Sequence, residues 1–128
     1  MACRGIRGAT SVGTNDADSI IAATRELLER IVAANGLLVK DVASVIFTAT
    51  PDLDAAYPAR AAREMGWVNT PLLCMQEMAV VGSLSRCIRV LVLWNTDLPF
   101  DQVQHIYLGG ARGLRPDLVE EEEIRIRR

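Results

Sequence analysis

The stretch CMQEMAVVGSLSRCIRVLVLWN, residues 74–95, holds two strands and the connection between them, and the rest of the fold is arranged around it. Its second half, Cys87 to Asn95, is an apolar run of strand length interrupted by one arginine, Arg89. Its first half completes a short strand, Pro71 to Met75, and sets a carboxylate, Glu77, just beyond it. Val80-Val81-Gly82-Ser83 links the two halves. A charge inside a core strand is costly unless it is paired or given a ligand. The stretch therefore reads either as a polar site inside a small fold or as a structural Arg89–Glu77 ion pair, and spacing alone leaves both open.

Upstream, Val42 to Thr50 (VASVIFTAT) is β-rich and reads as a strand, broken by Pro51-Asp52-Leu53-Asp54. Pro58 suits a first helical position, and Ala59 to Met65 continues as a short helix ended by Gly66. Arg60 and Arg63 share one face of that helix and, on their own, read as a solvated surface pair. Further back, the pattern around Ile6 and Ala9 to Val12 predicts a strand in which Gly5 and Gly8 permit close backbone approach or a bulge. Arg4 and Arg7 would face opposite sides of it, so at most one points into any one site. Thr14-Asn15-Asp16 offers N-cap chemistry for a helix with Ile20, Ala23, Leu27, Ile31 and Ala34 on its apolar side, closed by Asn35-Gly36.

Downstream, Asp97-Leu98-Pro99 turns the chain and Pro99 to Val103 reads as a helical turn. Gln104 to Leu108 is a short strand with His105 and Tyr107 on one face. The order is β-α-β-α-β-β-β, an α+β single domain with a mixed sheet of about five strands and two main helices. Residues 1–118 form the expected domain, and the charge block at 119–128 is expected to be a mobile tail.

Composition narrows the function. A net charge of −2 disfavours a general nucleic-acid surface. Lys40 is the only lysine, and the other basic residues are arginines, whose forks match carboxylates and phosphates bidentately; GC-rich coding produces the same bias. Three cysteines without metal-ligand spacing, and no signal peptide, point to reduced thiols in the cytoplasm. No apolar run approaches the roughly 18 residues of a membrane span. One histidine, His105, argues against a His-based triad or a multi-histidine metal site. Phosphate-loop, dinucleotide and metalloprotease motifs are all missing. Arginines with one glutamate and a tyrosine suit an anionic ligand, and any catalysis would rest on positioning and electrostatics.

Six strings stand in order: Arg4-Gly5-Ile6-Arg7-Gly8-Ala9-Thr10, Thr48-Ala49-Thr50-Pro51-Asp52-Leu53, Cys74-Met75-Gln76-Glu77-Met78, Cys87-Ile88-Arg89-Val90, His105-Ile106-Tyr107-Leu108 and Leu114-Arg115-Pro116-Asp117-Leu118. Together they resemble the monofunctional bacterial chorismate mutases of the trimeric, mixed α/β class, from about Arg4 to Leu118. The resemblance implies a trimeric pseudo-α/β-barrel and the Claisen rearrangement of chorismate to prephenate in aromatic amino-acid synthesis, with no cofactor or metal. It implies that Arg89, Glu77 and Arg7 are catalytic: Arg89 at the ether oxygen, Glu77 at the ring hydroxyl with Cys74 nearby, Arg7 with Tyr107 on the side-chain carboxylate. Tyr57, Ala59, Arg60, Arg63, Leu72 and Leu73 match positions that complete the pocket across a subunit interface, and Leu114 and Arg115 match a segment that closes its mouth.

The departures are small. Tyr57 stands where Phe is expected, Arg60 where Lys is common, and the Gly66-Trp67-Val68 connection is one residue shorter than in some relatives. A non-catalytic trimeric binder of small carboxylates on the same fold is the alternative. A ring-shaped imine deaminase fits less well, because the CMQEM and LRPDL strings are foreign to it. RNA binding is disfavoured by the charge.

Overall fold

A computed structural model describes residues 1–114 of the chain. Strand β1 (Ala2–Ser11) is followed by helix α1 (Ala17–Asn35), strand β2 (Val42–Ala49), helix α2 (Ala59–Glu64), strand β3 (Leu72–Gln76), strand β4 (Cys87–Thr96) and strand β5 (Ile106–Tyr107). The strands form one sheet in the order β3-β2-β4-β1-β5. β4 runs antiparallel to both of its neighbours, β1 and β2, whereas β3 and β5 lie parallel to theirs. This is the mixed sheet that the element order predicts.

Both helices pack on one face of the sheet. Leu27, Leu28 and Ile31 of α1 and Ala59 and Ala62 of α2 meet Ile6, Val45, Phe47, Val90 and Val92 in the principal core. The opposite face has no α-helix over it among the described residues, and only at its β1–β5 end does a short 3₁₀ turn, Gly109–Gly113, pack Ala111 against Ala9 and Tyr107. That face carries the half-buried Ile46, Leu91 and Leu93 and the exposed Leu73 and Met75.

Asp16 caps α1 by accepting from the Ser19 N–H at 2.8 Å. The Thr14 hydroxyl donates to the same carboxylate, and this bond, followed by that from Ser19, holds its pKa below the ordinary aspartate range. Gly36 ends the helix with φ 63°, a left-handed conformation in which a Cβ is strained. The apolar stripe differs in detail from the one the spacing predicts. Ala34 is exposed and Thr24 is fully buried, because the stripe runs through Ile20, Thr24, Leu27, Leu28 and Ile31. Burial of Thr24 is tolerable since its hydroxyl donates to the Ile20 carbonyl at 2.8 Å.

The glycine reading holds at Gly8, where α1 crosses β1 closely. A Cβ there would sit 2.9 Å from Ile31 Cδ1 and 3.0 Å from Val90 Cγ1, both in the core. Gly8→Ala is expected to lower the unfolding free energy by about 1–3 kcal/mol, the usual range for an overpacked core. Chemical denaturation checks this, and an unchanged midpoint would mean that the helix retreats freely.

The expected tail at 119–128 and the Arg115 position lie outside the described residues.

Candidate active site

The pleat decides which side chains can meet on the uncovered sheet face. Ala9 of β1 pairs with Arg89 of β4, and Arg89 pairs in turn with Thr48 of β2. Arg7 lies two residues before Ala9, and Tyr107 of β5 pairs with Ala9 from the other side. Met75 of β3 pairs with Thr48, and Glu77 follows it by two residues. Its N–H donates to the Ala49 carbonyl at 2.9 Å, which prolongs the ladder by one step. Five strands thus deliver Arg7, Thr48, Glu77, Arg89 and Tyr107 to one face by period-two alternation. They line a cavity of about 380 Å³ together with Ile46, Met75 and Leu91.

Arg89 therefore does not sit inside the core, as a charge within so apolar a run suggests. Its side chain is 45% exposed on the uncovered face, so in the single chain its guanidinium keeps much of its hydration. Its Nε lies 3.4 Å from Glu77 Oε2, so the ion pair exists. The same oxygen accepts from the Thr48 hydroxyl at 2.5 Å. Thr48 and Arg89 thus hold one carboxylate oxygen between them, while Arg89 also lines the cavity. No acidic side chain among the described residues pairs with Arg7, whose side chain is exposed beside the cavity. Ion pair and ligand site are thus compatible, because the pair uses one edge of the guanidinium.

β4 enters this site from a tightly fastened turn. Arg86 has φ 45°, unusual for a side chain with a Cβ, and its N–H donates to both Asp52 oxygens at 2.9 and 3.1 Å. Thr50 donates to Asp52 and accepts from the Cys87 N–H at 2.9 Å. The Thr50 hydroxyl is the main reason that the Asp52 carboxyl titrates below its ordinary value, with the Arg86 N–H adding to it. Burial pushes the Cys87 thiol up, against the pull of the nearby Arg89 guanidinium, so it stays protonated.

The remaining sequence-derived residues gather elsewhere. Tyr57, Ala59, Arg63, Leu72, Leu73 and Cys74 line a separate hollow of about 270 Å³ beside β3, an edge of the sheet. Arg60 is turned toward Glu64 at 2.9 Å, an exposed pair one helical turn apart, worth about 0.3–0.5 kcal/mol. Cys74 pairs with Phe47 in register and faces the helix layer, so within one chain it does not join Glu77. Leu114 packs against the cluster of Ala9, Tyr107 and Ala111 beside the site.

Two contributors escape a reading by residue type. Thr48 looks like an ordinary strand threonine, and only the pairing of β2 with β4 sets it opposite Arg89. His105 accepts the backbone N–H of Arg7 on Nδ1 at 2.9 Å. A strand pattern gives no hint of that bond, because it replaces a ladder partner by a ring.

Comparison with known proteins bears on this arrangement directly. The family model described as chorismate mutase type I matches residues 3–118. Chorismate mutase AroH of Bacillus subtilis (strain 168) is 48% identical over 119 residues, 92% of this chain and 94% of that protein. Chorismate mutase AroH of Thermus thermophilus is 53% identical over 116 residues, covering 90% and 95% of the two chains. The solved chorismate mutase from Clostridium thermocellum superposes with a TM-score of 0.84 at 52% identity, over 85% of this chain and 97% of that one. With nearly its whole described length matched in sequence and in fold, this chain belongs to the type I chorismate mutase family.

Proposed function

We propose that the chain performs its family's reaction, the Claisen rearrangement of chorismate to prephenate, in the cavity lined by Arg7, Glu77, Arg89 and Tyr107. The chain is an isomerase, and its substrate is chorismate. The observation that carries the assignment of roles is the placement of Arg89: a guanidinium paired with Glu77 through its Nε and lining the cavity that Arg7 and Tyr107 also line.

In the rearrangement an ether carbon–oxygen bond breaks while a carbon–carbon bond forms within the same molecule. Negative charge grows on the ether oxygen, and positive charge on the ring. Arg89 donates to that oxygen, so it binds the transition state more strongly than the substrate, and this difference lowers the barrier. Glu77 accepts from the ring hydroxyl and favours the electron-poor ring. Arg7 and Tyr107 hold the side-chain carboxylate in the compact conformer that brings the reacting carbons together. No proton need move and no covalent intermediate forms.

The assembly is a cytoplasmic homotrimer whose sites lie between subunits. Two features support this reading. The uncovered sheet face exposes Leu73 and Met75, and the loop beyond it exposes Met78, Val80 and Val81, apolar side chains that a neighbouring subunit would cover. The hollow containing Tyr57, Arg63 and Cys74 is separate from the Arg89 cavity within one chain, and a neighbouring subunit would bring such a hollow against it. Arg63 and Arg60 then add positive charge near the dianionic substrate, and Cys74 reaches Glu77 from the neighbour. Among the described residues no helix is long and apolar enough to cross a membrane.

Mixing subunits tests the shared site. Arg89→Ala and Arg63→Ala chains are each expected to be impaired, but unfolded and refolded together in equal amounts they should regain activity, because roughly a quarter of the interfaces then join two intact walls. A mixture no more active than the sum of its parts would place both arginines in one subunit's site. The binder alternative is not favoured, since the relatives are named as mutases and a binder needs no cation at the ether oxygen.

A further inference from the structure

Strand β5 contributes only Ile106 and Tyr107 to the ladder with β1, yet it carries one of the two side chains assigned to the substrate's carboxylate. A two-residue parallel pairing is weak, and side chains secure the strand at its leading end. Asn35, the last residue of α1, grips the Gln104 backbone with two bonds: its Oδ1 accepts the Gln104 N–H at 2.8 Å and its Nδ2 donates to the Gln104 carbonyl at 3.0 Å. His105 follows, and its Nδ1 accepts the Arg7 N–H at 2.9 Å, one residue before the first ladder pair, Gly8 with Ile106.

We infer that His105 is a positioning residue for substrate binding: by accepting the Arg7 N–H on its imidazole Nδ1 it sets the spacing between Arg7 and Tyr107. The inference rests on the placement of those two residues around the substrate's side-chain carboxylate. The ring takes the place that a strand carbonyl would fill if β5 began earlier. It joins the backbone of one carboxylate-binding residue to a position two residues from the other. Without it an N–H at the sheet edge loses its partner, and the leading end of β5 can swing relative to β1 while the two ladder pairs persist. Arg89 and Glu77 are set by β4, β2 and β3, so they are not moved by such a swing. Loss of the ring acceptor should therefore weaken binding of chorismate far more than it slows the chemical step.

The test compares kcat and KM for chorismate in His105→Leu, His105→Asn and Arg7→Ala. Leucine keeps bulk and removes the acceptor; asparagine puts Oδ1 at the same number of bonds from Cβ as Nδ1. His105→Leu is expected to raise KM about tenfold with kcat within about threefold of wild type, and His105→Asn to bring KM back to within about threefold. A wild-type KM in His105→Leu alongside a raised KM in Arg7→Ala overturns the role of His105 alone. An unchanged KM in Arg7→Ala overturns the placement of Arg7 and the inference with it. If the leucine variant does not fold, asparagine decides: a KM near wild type supports the role, and one about tenfold higher overturns it.

Discussion

Arg89→Ala is expected to lower kcat/KM for chorismate by at least about 10³-fold while leaving fold and assembly intact. Removing one preorganised donor from a developing oxyanion typically costs about 3–4 kcal/mol, and the donor here is also a full charge. The structural cost should be small, because the side chain projects from the sheet and is 45% exposed. Arg89→Lys should remain about 10²-fold impaired, since one ammonium cannot face Glu77 and the ether oxygen with separate edges. Steady-state kinetics beside thermal unfolding checks both statements. Near-normal turnover in Arg89→Ala would remove the electrostatic account altogether.

Glu77→Ala should be the next most damaging change, with kcat reduced by about 10²-fold. Two losses combine. The ring hydroxyl loses its acceptor, and Arg89 loses the carboxylate that orients its Nε at 3.4 Å. Glu77→Gln separates them, because the amide oxygen still accepts a hydrogen bond but carries no charge. If orientation by hydrogen bonding dominates, glutamine recovers most of the loss; if the negative charge dominates, it recovers little. Activity in Glu77→Ala equal to wild type would leave the Thr48–Glu77–Arg89 chain as a purely structural device.

Much of this was legible in the chain because each element announces itself locally. Asp16 and Gly36 bracket α1, Pro58 and Gly66 bracket α2, and the β-rich runs have strand length. The strand order was not legible, since no local pattern says that β4 inserts between β1 and β2. That insertion is what turns Arg89 from a charge apparently trapped in a core strand into one on an open face. The site residues came from matching strings in order, not from spacing. Arg7 and Arg89 are 82 positions apart, by subtraction of their numbers, and only the sheet brings their strands together. Thr24 shows the limit of reading a helix by hydropathy: a hydroxyl that bonds its own backbone can occupy an apolar stripe.

The most direct test of the central claim is the loss of chorismate absorbance with the purified wild-type chain, followed in H₂O and in D₂O against the spontaneous background. The account predicts rapid conversion to prephenate, at nearly the same rate in both solvents and across about pH 6–9, because no group changes protonation in the rearrangement. Loss no faster than background, or a rate at least about halved in D₂O with chemistry limiting, would contradict catalysis by a fixed cation at Arg89.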